Sequence, residues 1–292
     1  MSRLACVDGK LLAPEDAKVS VYDRGFLYGD SVFETIRTYG GKAFALEEHV
    51  RRLERSSELV GIELPIPRDE LAAEIEQAVV AAGNTESYVR IMLTRGTGPL
   101  GLDPANVMRP FRVIFVEPLT PLPAAMYRDG VSVITYRTER ASDAAHGAKV
   151  GNYLAGMMAL RVARQTGAHE ALILDASGRV TEGTTSNVFI VRGQTLLTPP
   201  DDAGILLGIT RAKLLELAPQ VGLSVQFTSL LPADLLAADE VFLSSSLREI
   251  LPVVRVNDAV VGHGKPGSHT RALHLAFRNA VGLGLARAPW EG

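Results

Sequence analysis

Three prolines within six residues, Pro118-Leu119-Thr120-Pro121-Leu122-Pro123, constrain the fold of this 292-residue chain more than any other stretch. Proline fixes φ and lacks the backbone N–H, so no helix or strand interior runs through such a segment. The chain is therefore expected to fold in two parts. A smaller N-terminal α+β domain covers residues 1–117, a linker residues 118–130, and a larger C-terminal domain residues 131–292. The total length is ample for burying sizeable cores.

Periodicity fills in both halves. Residues 4–7 read as a strand before the turn Asp8-Gly9-Lys10. Residues 31–38 alternate, turn at Tyr39-Gly40-Gly41-Lys42, and meet a partner strand from Ala43. Leu46, Val50, Leu53 and Leu59 recur among charges, which predicts an amphipathic helix ending near Gly61. A second helix is expected over 67–82, stopped by Gly83-Asn84, with strands at 87–94 and 111–117. Beyond the prolines come a strand at 131–136, a helix over 153–166 and strands at 170–174 and 187–191. Asp175-Ala176-Ser177-Gly178 is a turn, 209–217 a helix, Ser224 and Val241 mark strands, and a last helix starts at Ser268. Strands and helices mix without strict βαβ alternation, so the class is α+β.

Bulk properties exclude several roles. A net charge of −3 leaves no basic excess for neutralising phosphates, so nucleic acid is not an expected partner. The single cysteine, Cys6, cannot form an intrachain disulfide. No apolar run reaches the ~18 residues of a membrane span, and the N-terminus turns polar early, so a cytoplasmic protein is expected. Gly96-Thr97-Gly98-Pro99-Leu100-Gly101 has dinucleotide-site spacing, but Pro99 and Asp103-Pro104 prevent the helix that motif must open. The histidines show no metal-ligand spacing, and no Gly-x-Ser-x-Gly elbow is present.

Two segments carry chemistry. Lys149 lies among small uncharged neighbours, Gly147, Ala148, Val150 and Gly151, which leave room for a ligand and allow the amine to be desolvated. Glu182 opens the polar run Glu182-Gly183-Thr184-Thr185-Ser186-Asn187. A lysine that can form a Schiff base and a carboxylate that can hold a pyridine nitrogen protonated are what pyridoxal phosphate chemistry needs. Tyr153, four residues after the lysine, can hydrogen-bond the ring's phenolic oxygen. Phosphate donors are available at Arg52, at the helix start Gly208-Ile209-Thr210-Arg211, and at Ser244-Ser245-Ser246-Leu247. Taken singly, each has a plainer reading: a lone lysine or glutamate is usually solvated, and Arg52 shares its helix with Arg51 and Arg55 as on a solvated charged face.

The order along the chain is Gly29-Asp30-Ser31-Val32-Phe33-Glu34, His49-x-x-Arg52-Leu53, Tyr88-x-Arg90, Lys149-x-x-Asn152-Tyr153, Glu182 to Asn187, Gly208-Ile209-Thr210 and Ser246-x-x-Glu249-Ile250-x-Pro252-Val253. Over roughly residues 5–280 this resembles the class IV (fold type IV) pyridoxal phosphate aminotransferases. That group holds branched-chain aminotransferases, D-amino-acid aminotransferases, R-selective amine transaminases and aminodeoxychorismate lyases. The resemblance implies a two-domain, D-amino-acid aminotransferase-like fold and a homodimer with shared active sites, with the cofactor between the domains. It implies Lys149 as the Schiff-base lysine, Glu182 at the pyridine nitrogen and Tyr153 at the phenolic oxygen. Arg52, Ile209, Thr210 and Ser246 would hold the phosphate. Substrate would meet Tyr28, Phe33, Thr35, Tyr88, Arg90 and Leu100, with the Ser246-Leu247 turn receiving the α-carboxylate. Leu100 stands where D-amino-acid enzymes and lyases place a carboxylate-binding arginine, whereas Tyr88-x-Arg90 resembles the branched-chain enzymes. The expected reaction moves an amine from an aliphatic branched-chain L-amino acid to 2-oxoglutarate by a ping-pong route. The alternatives are a D-amino-acid aminotransferase using Arg90 for the carboxylate and a 4-amino-4-deoxychorismate lyase, for which Thr35 is the pointer.

Overall fold

The computed structural model describes residues 2–105, 107, 109–138, 147–284, 286 and 288–291. The chain forms two compact units, Met1–Thr120 with Ser142–Tyr153, and Pro121–Ala141 with Leu154–Gly292. It therefore enters the first unit twice, which a single proline-rich boundary does not anticipate.

The first unit is built on β1 (Leu4–Val7), β2 (Lys10–Leu12), β3 (Ser31–Tyr39), β4 (Lys42–Ala43), β5 (Ser87–Thr94) and β6 (Phe111–Pro118). Their order in the sheet is β2-β1-β6-β5-β3-β4. The short α1 (Arg24–Tyr28) is followed by α2 (Leu46–Leu59) and α3 (Arg68–Ala82). Period-two alternation sends Val32 and Ile36 of β3, Val89, Ile91 and Leu93 of β5, and Ile114 and Val116 of β6 into a core with Val50, Leu53, Leu71 and Ile75. The opposite alternation aligns Phe33 and Thr35 with Met92 and Arg90, because β3 and β5 pair antiparallel with Thr35 opposite Arg90.

Three local features depart from the periodicity. Leu59 is exposed, since six residues past Leu53 it has rotated away from the buried stripe, where Ser56 and Ser57 stand instead. The strand from Ala43 is only two residues long, because Ala45 takes a left-handed conformation (φ 50°) and turns the chain into α2. α1 is too short for any periodic signal and rests on its caps. The Asp23 carboxylate accepts from Gly25 N and Phe26 N, and Gly29 ends the helix at φ 69°.

In the second unit, α4 (Ala124–Arg128) follows the prolines. Then come β7 (Val131–Arg137), α5 (Leu154–Gln165), β8 (Glu170–Leu174), β9 (Val180–Gly183), β10 (Asn187–Arg192) and β11 (Thr195–Thr198). The remainder is α6 (Ile209–Leu217), β12 (Ser224–Phe227), α7 (Pro232–Leu236), β13 (Glu240–Ser245), β14 (Glu249–Val256), β15 (Ala259–Val260) and α8 (Ser268–Ala280). The sheet runs β12-β11-β10-β13-β14-β7-β8-β9, with β15 on β14. Its two ends are drawn together where Val180 N donates to Leu230 O at 2.7 Å, just past β12. Val133, Leu172, Val188, Ile190, Leu243 and Leu251 fill its core. No helix among the described residues is long and apolar enough to cross a membrane.

Candidate active site

Lys149 belongs to the first unit, on a segment that adds itself to the edge of β3. Phe33 N donates to Lys149 O at 3.0 Å, Gly151 N donates to Ser31 O at 2.7 Å, and Val32 and Val150 form an antiparallel bridge. Glycine at 151 lets the segment lie this close to β3, because a Cβ there would displace Ser31 Oγ. A further tie comes from α2, where Ser56 Oγ accepts from Lys149 N at 3.1 Å. The backbone so held places Lys149 Nζ 3.3 Å from Tyr153 Oη and 4.6 Å from the Phe33 ring centroid. Tyr153 meets the Phe33 ring edge-on at 5.2 Å. The Arg90 guanidinium carbon lies 3.9 Å from the same centroid, and Arg90 Nε is buried without a hydrogen-bond partner among the described residues. A primary amine, a phenol and a guanidinium thus converge on one aromatic ring. That set can supply a nucleophile, a proton partner and an anion contact.

Arg52 is not on a solvated face. Its Nε and Nη2 donate to the two oxygens of Glu34, each at 2.7 Å, while Arg51 and Arg55 are exposed. His49, three residues earlier on α2, faces Glu34 Oε2 through Nδ1 at 2.7 Å. Glu34 is wholly buried on the core side of β3. Burial alone would raise its carboxyl, but the Arg52 charge and the hydrogen bonds from Arg52 and His49 prevail and hold it at about 2. Burial drives His49 below its ordinary value, opposed by Glu34 and assisted by the charges of Arg52 and Lys149. The result is a guanidinium fixed in place by a bidentate pair.

In the second unit, Glu182 is buried at the end of β9, and its Oε2 accepts from Leu206 N at 2.9 Å. Asn187 Nδ2 donates to Leu206 O at 2.8 Å, so the approach to α6 is gripped on both sides of one residue. Gly208 caps α6, and a Cβ there would run into Asn187 Oδ1. The first-turn amides of Ile209 and Thr210 have no intrahelical acceptor. Thr210 Oγ1 is buried and unpartnered among the described residues, as is Ser244 Oγ on β13. Unpaired donors at a helix N-terminus, with the dipole behind them, suit an anion such as a phosphate. The residues present therefore fit pyridoxal phosphate: an amine for its aldehyde, a buried carboxylate, and donors for its phosphate. Ser246 and Leu247 occupy the half-buried turn between β13 and β14.

The structure gathers Lys149, Tyr153, Phe33 and Arg90, with Thr35 beside Arg90 by register. Tyr88 is half-buried two residues from Arg90 on β5. Tyr28 closes on the glycine-rich loop instead, its Oη accepting from Gly101 N at 2.9 Å, and Leu100 is 70% exposed. The roles of three further side chains, Glu34, Glu170 and Arg248, are not legible in the sequence. Glu34 stood in a motif but gave no sign that it clamps Arg52. The buried Glu170 and the half-buried Arg248 form an ion pair at the 184–186 turn. An acidic residue leading the apolar strand Glu170-Ala171-Leu172-Ile173-Leu174 was a usable signal for the former, whereas Arg248 offered none.

Comparisons with known proteins show the family of the chain. The family model for amino-transferase class IV matches residues 31–256. A Methanocaldococcus jannaschii protein provisionally named a branched-chain-amino-acid aminotransferase is 38% identical, covering 94% of both chains. A D-alanine aminotransferase of Bacillus licheniformis is 32% identical over 94% of this chain and 95% of its own. An aminodeoxychorismate lyase of Bacillus subtilis is 31% identical over 94% of each. Among solved structures, the T.th. branched-chain amino acid aminotransferase with pyridoxamine 5'-phosphate superposes with TM-score 0.90 at 30% identity, covering 100% of this chain and 97% of that one. The same enzyme complexed with N-(5'-phosphopyridoxyl)-L-glutamate gives 0.89 with the same coverage.

Proposed function

The chain belongs to the class IV aminotransferases, and from that membership we propose that it moves an amine between an aliphatic branched-chain L-amino acid and 2-oxoglutarate, with pyridoxal 5'-phosphate as cofactor. The carrying observation is the placement of Lys149 Nζ against Tyr153 Oη and the Phe33 ring, with Arg90 on the same ring. When bound, the cofactor supplies an electron-poor ring that stabilises negative charge at the substrate carbon. Lys149 would hold the cofactor through its aldehyde, and its amine, once replaced there by the substrate's, would move the proton at the substrate Cα. Tyr153 Oη orients that amine and serves the ring oxygen. Glu182, kept buried and anchored by Leu206 N, is the partner of the ring nitrogen. Arg52, the amides of Ile209 and Thr210, and Ser246 bind the phosphate, and Glu34 keeps Arg52 from relaxing away.

For substrate, Phe33 and Tyr88 supply apolar surface and the Ser246-Leu247 turn takes the α-carboxylate. Arg90, with its unpartnered Nε, meets the second carboxylate of glutamate or 2-oxoglutarate. Support for this choice comes from the relatives named for branched-chain substrates and from the glutamate adduct in the T.th. enzyme structure. A homodimer is part of the proposal. Single-chain apolar exposure supports it, with Val21, Phe26 and Leu102 of the first unit and Leu154 and Met157 of the second all more than half exposed. The lyase reading retains one specific observation, the Thr35 hydroxyl placed opposite Arg90.

The test is product formation by purified enzyme. L-leucine, L-isoleucine or L-valine with 2-oxoglutarate is expected to yield glutamate. Turnover of D-alanine alone would move the chain to the D-amino-acid branch. Release of pyruvate from aminodeoxychorismate without any amine acceptor would identify a lyase.

A further inference from the structure

Arg248 follows directly on the turn proposed to receive the substrate carboxylate, and on charge alone it would be the obvious trap for that group. Its hydrogen bonds argue otherwise. A guanidinium carries five N–H donors in a fixed fork, and each finds an acceptor here. Nε donates to Ser245 Oγ at 3.0 Å. Nη1 pairs with Glu170 Oε2 and lies 3.4 Å from His169 Nε2. Nη2 donates to Thr185 O at 3.0 Å and to Thr185 Oγ1 at 2.8 Å. Burial and then the Arg248 charge push His169 down to about 4, so its ring is neutral near pH 7 and can accept.

The acceptors lie on different segments. Glu170 opens β8, and its other oxygen accepts from Thr184 Oγ1 at 3.0 Å, Thr185 N at 2.8 Å and Ser186 Oγ at 3.1 Å. One carboxylate therefore gathers the whole 184–186 turn that follows Glu182, while Arg248 joins that turn to the 246–248 turn. The second turn is held from its far side as well. Tyr127 Oη donates to Arg248 O at 3.1 Å. Glu249, left-handed at φ 58°, is fixed by His274 Nε2 at 2.6 Å and Arg278 Nη1 at 3.0 Å.

We propose that Arg248 is a positioning residue: its fully engaged guanidinium locks the Ser246-Leu247 turn to the turn after Glu182, and it does not itself bind the substrate carboxylate. The two strand ends that carry proposed cofactor contacts thereby move as one piece, and the carboxylate is left to backbone amides. This rests on the pyridoxal phosphate reading given above.

Arg248→Ala would strand Glu170 as a buried uncompensated charge and endanger folding. The informative variants are Arg248→Lys, which replaces the fork by a point donor, and Thr185→Val, which removes one acceptor of Arg248 and one donor to Glu170 at nearly constant shape. Each is prepared as apoprotein, its melting temperature taken, and pyridoxal phosphate titrated in while the visible band is followed. KM and kcat for L-leucine are then measured on the loaded enzymes. The expected result is cofactor binding weakened about tenfold in Arg248→Lys and about threefold in Thr185→Val, with kcat reduced and KM changed by less than about threefold. A lowered melting temperature with unaltered cofactor affinity would overturn the proposal, leaving only a structural role. So would a rise in KM of about a hundredfold at unaltered cofactor affinity, the mark of a carboxylate trap. A wild-type chain that takes up no pyridoxal phosphate would instead overturn the functional reading and remove the proposal's premise.

Discussion

Glu34→Gln is the perturbation whose size follows most directly from the structure. The native carboxyl sits at about 2 against an ordinary 4.5, and each tenfold change in proton affinity is about 1.4 kcal/mol, so the ionised form contributes about 3 kcal/mol to folding. The sign follows from proton counts. Between pH 4.5 and about 2 the unfolded chain binds the Glu34 proton and the native state does not. The contribution is therefore complete above 4.5 and is lost as the pH falls through about 2. Glutamine keeps the shape but not the charge opposite Arg52 and His49. At pH 7 the apoprotein variant is expected to lose about 3 kcal/mol, the low end for removing one member of a buried pair. The assay is denaturant unfolding of both apoproteins, which avoids stabilisation by bound cofactor. Because only wild type titrates at this position, the gap between them should narrow by about 1.2 kcal/mol between pH 5 and pH 3.5. A gap that stays constant over that range, or one below about 1 kcal/mol at pH 7, would refute the account of Glu34 as a desolvated clamp.

Lys149→Ala should abolish turnover and the yellow colour of the purified protein, while the melting temperature of the apoprotein stays that of wild-type apoprotein. Retained turnover would show that another lysine carries the chemistry. Glu182→Gln should still bind pyridoxal phosphate, as read by the visible band, while turnover drops at least about a hundredfold; an unchanged rate would exclude Glu182 from the ring nitrogen. Gly151→Ala drives a methyl into Ser31 Oγ. It should cost about 1–3 kcal/mol in unfolding and lower kcat by displacing Lys149; a variant with wild-type stability and rate would remove the sheet-edge explanation for the lysine's position.

The elements that were legible in the sequence are those with a repeating pattern. α2, α3 and β5 each bury one face, so alternation or helical spacing exposed them, and Gly83 marked the end of α3 at φ 64°. Lys149 and Tyr153 were readable as a pair because their spacing is local, and the 3.3 Å contact between them follows from four residues of backbone. What escaped was non-local. The attachment of the Lys149 segment to β3 joins residues more than a hundred positions apart. Glu170 with Arg248, and Glu34 with Arg52, are ion pairs whose partners look like ordinary surface charges until the fold buries them. α1 was missed because a five-residue helix has no period, only the Asp23 cap and Gly29.

Lys149 and its surroundings are proposed to serve an L-amino acid amine donor through pyridoxal phosphate. The direct measurement is the visible spectrum of the loaded, purified protein mixed separately with L-leucine and with D-alanine, no acceptor being present. L-leucine is expected to bleach the band, 2-oxoglutarate then to restore it, and D-alanine to leave it unchanged. Bleaching by D-alanine with none by L-leucine, or a bound cofactor that neither amino acid alters, would contradict that proposal.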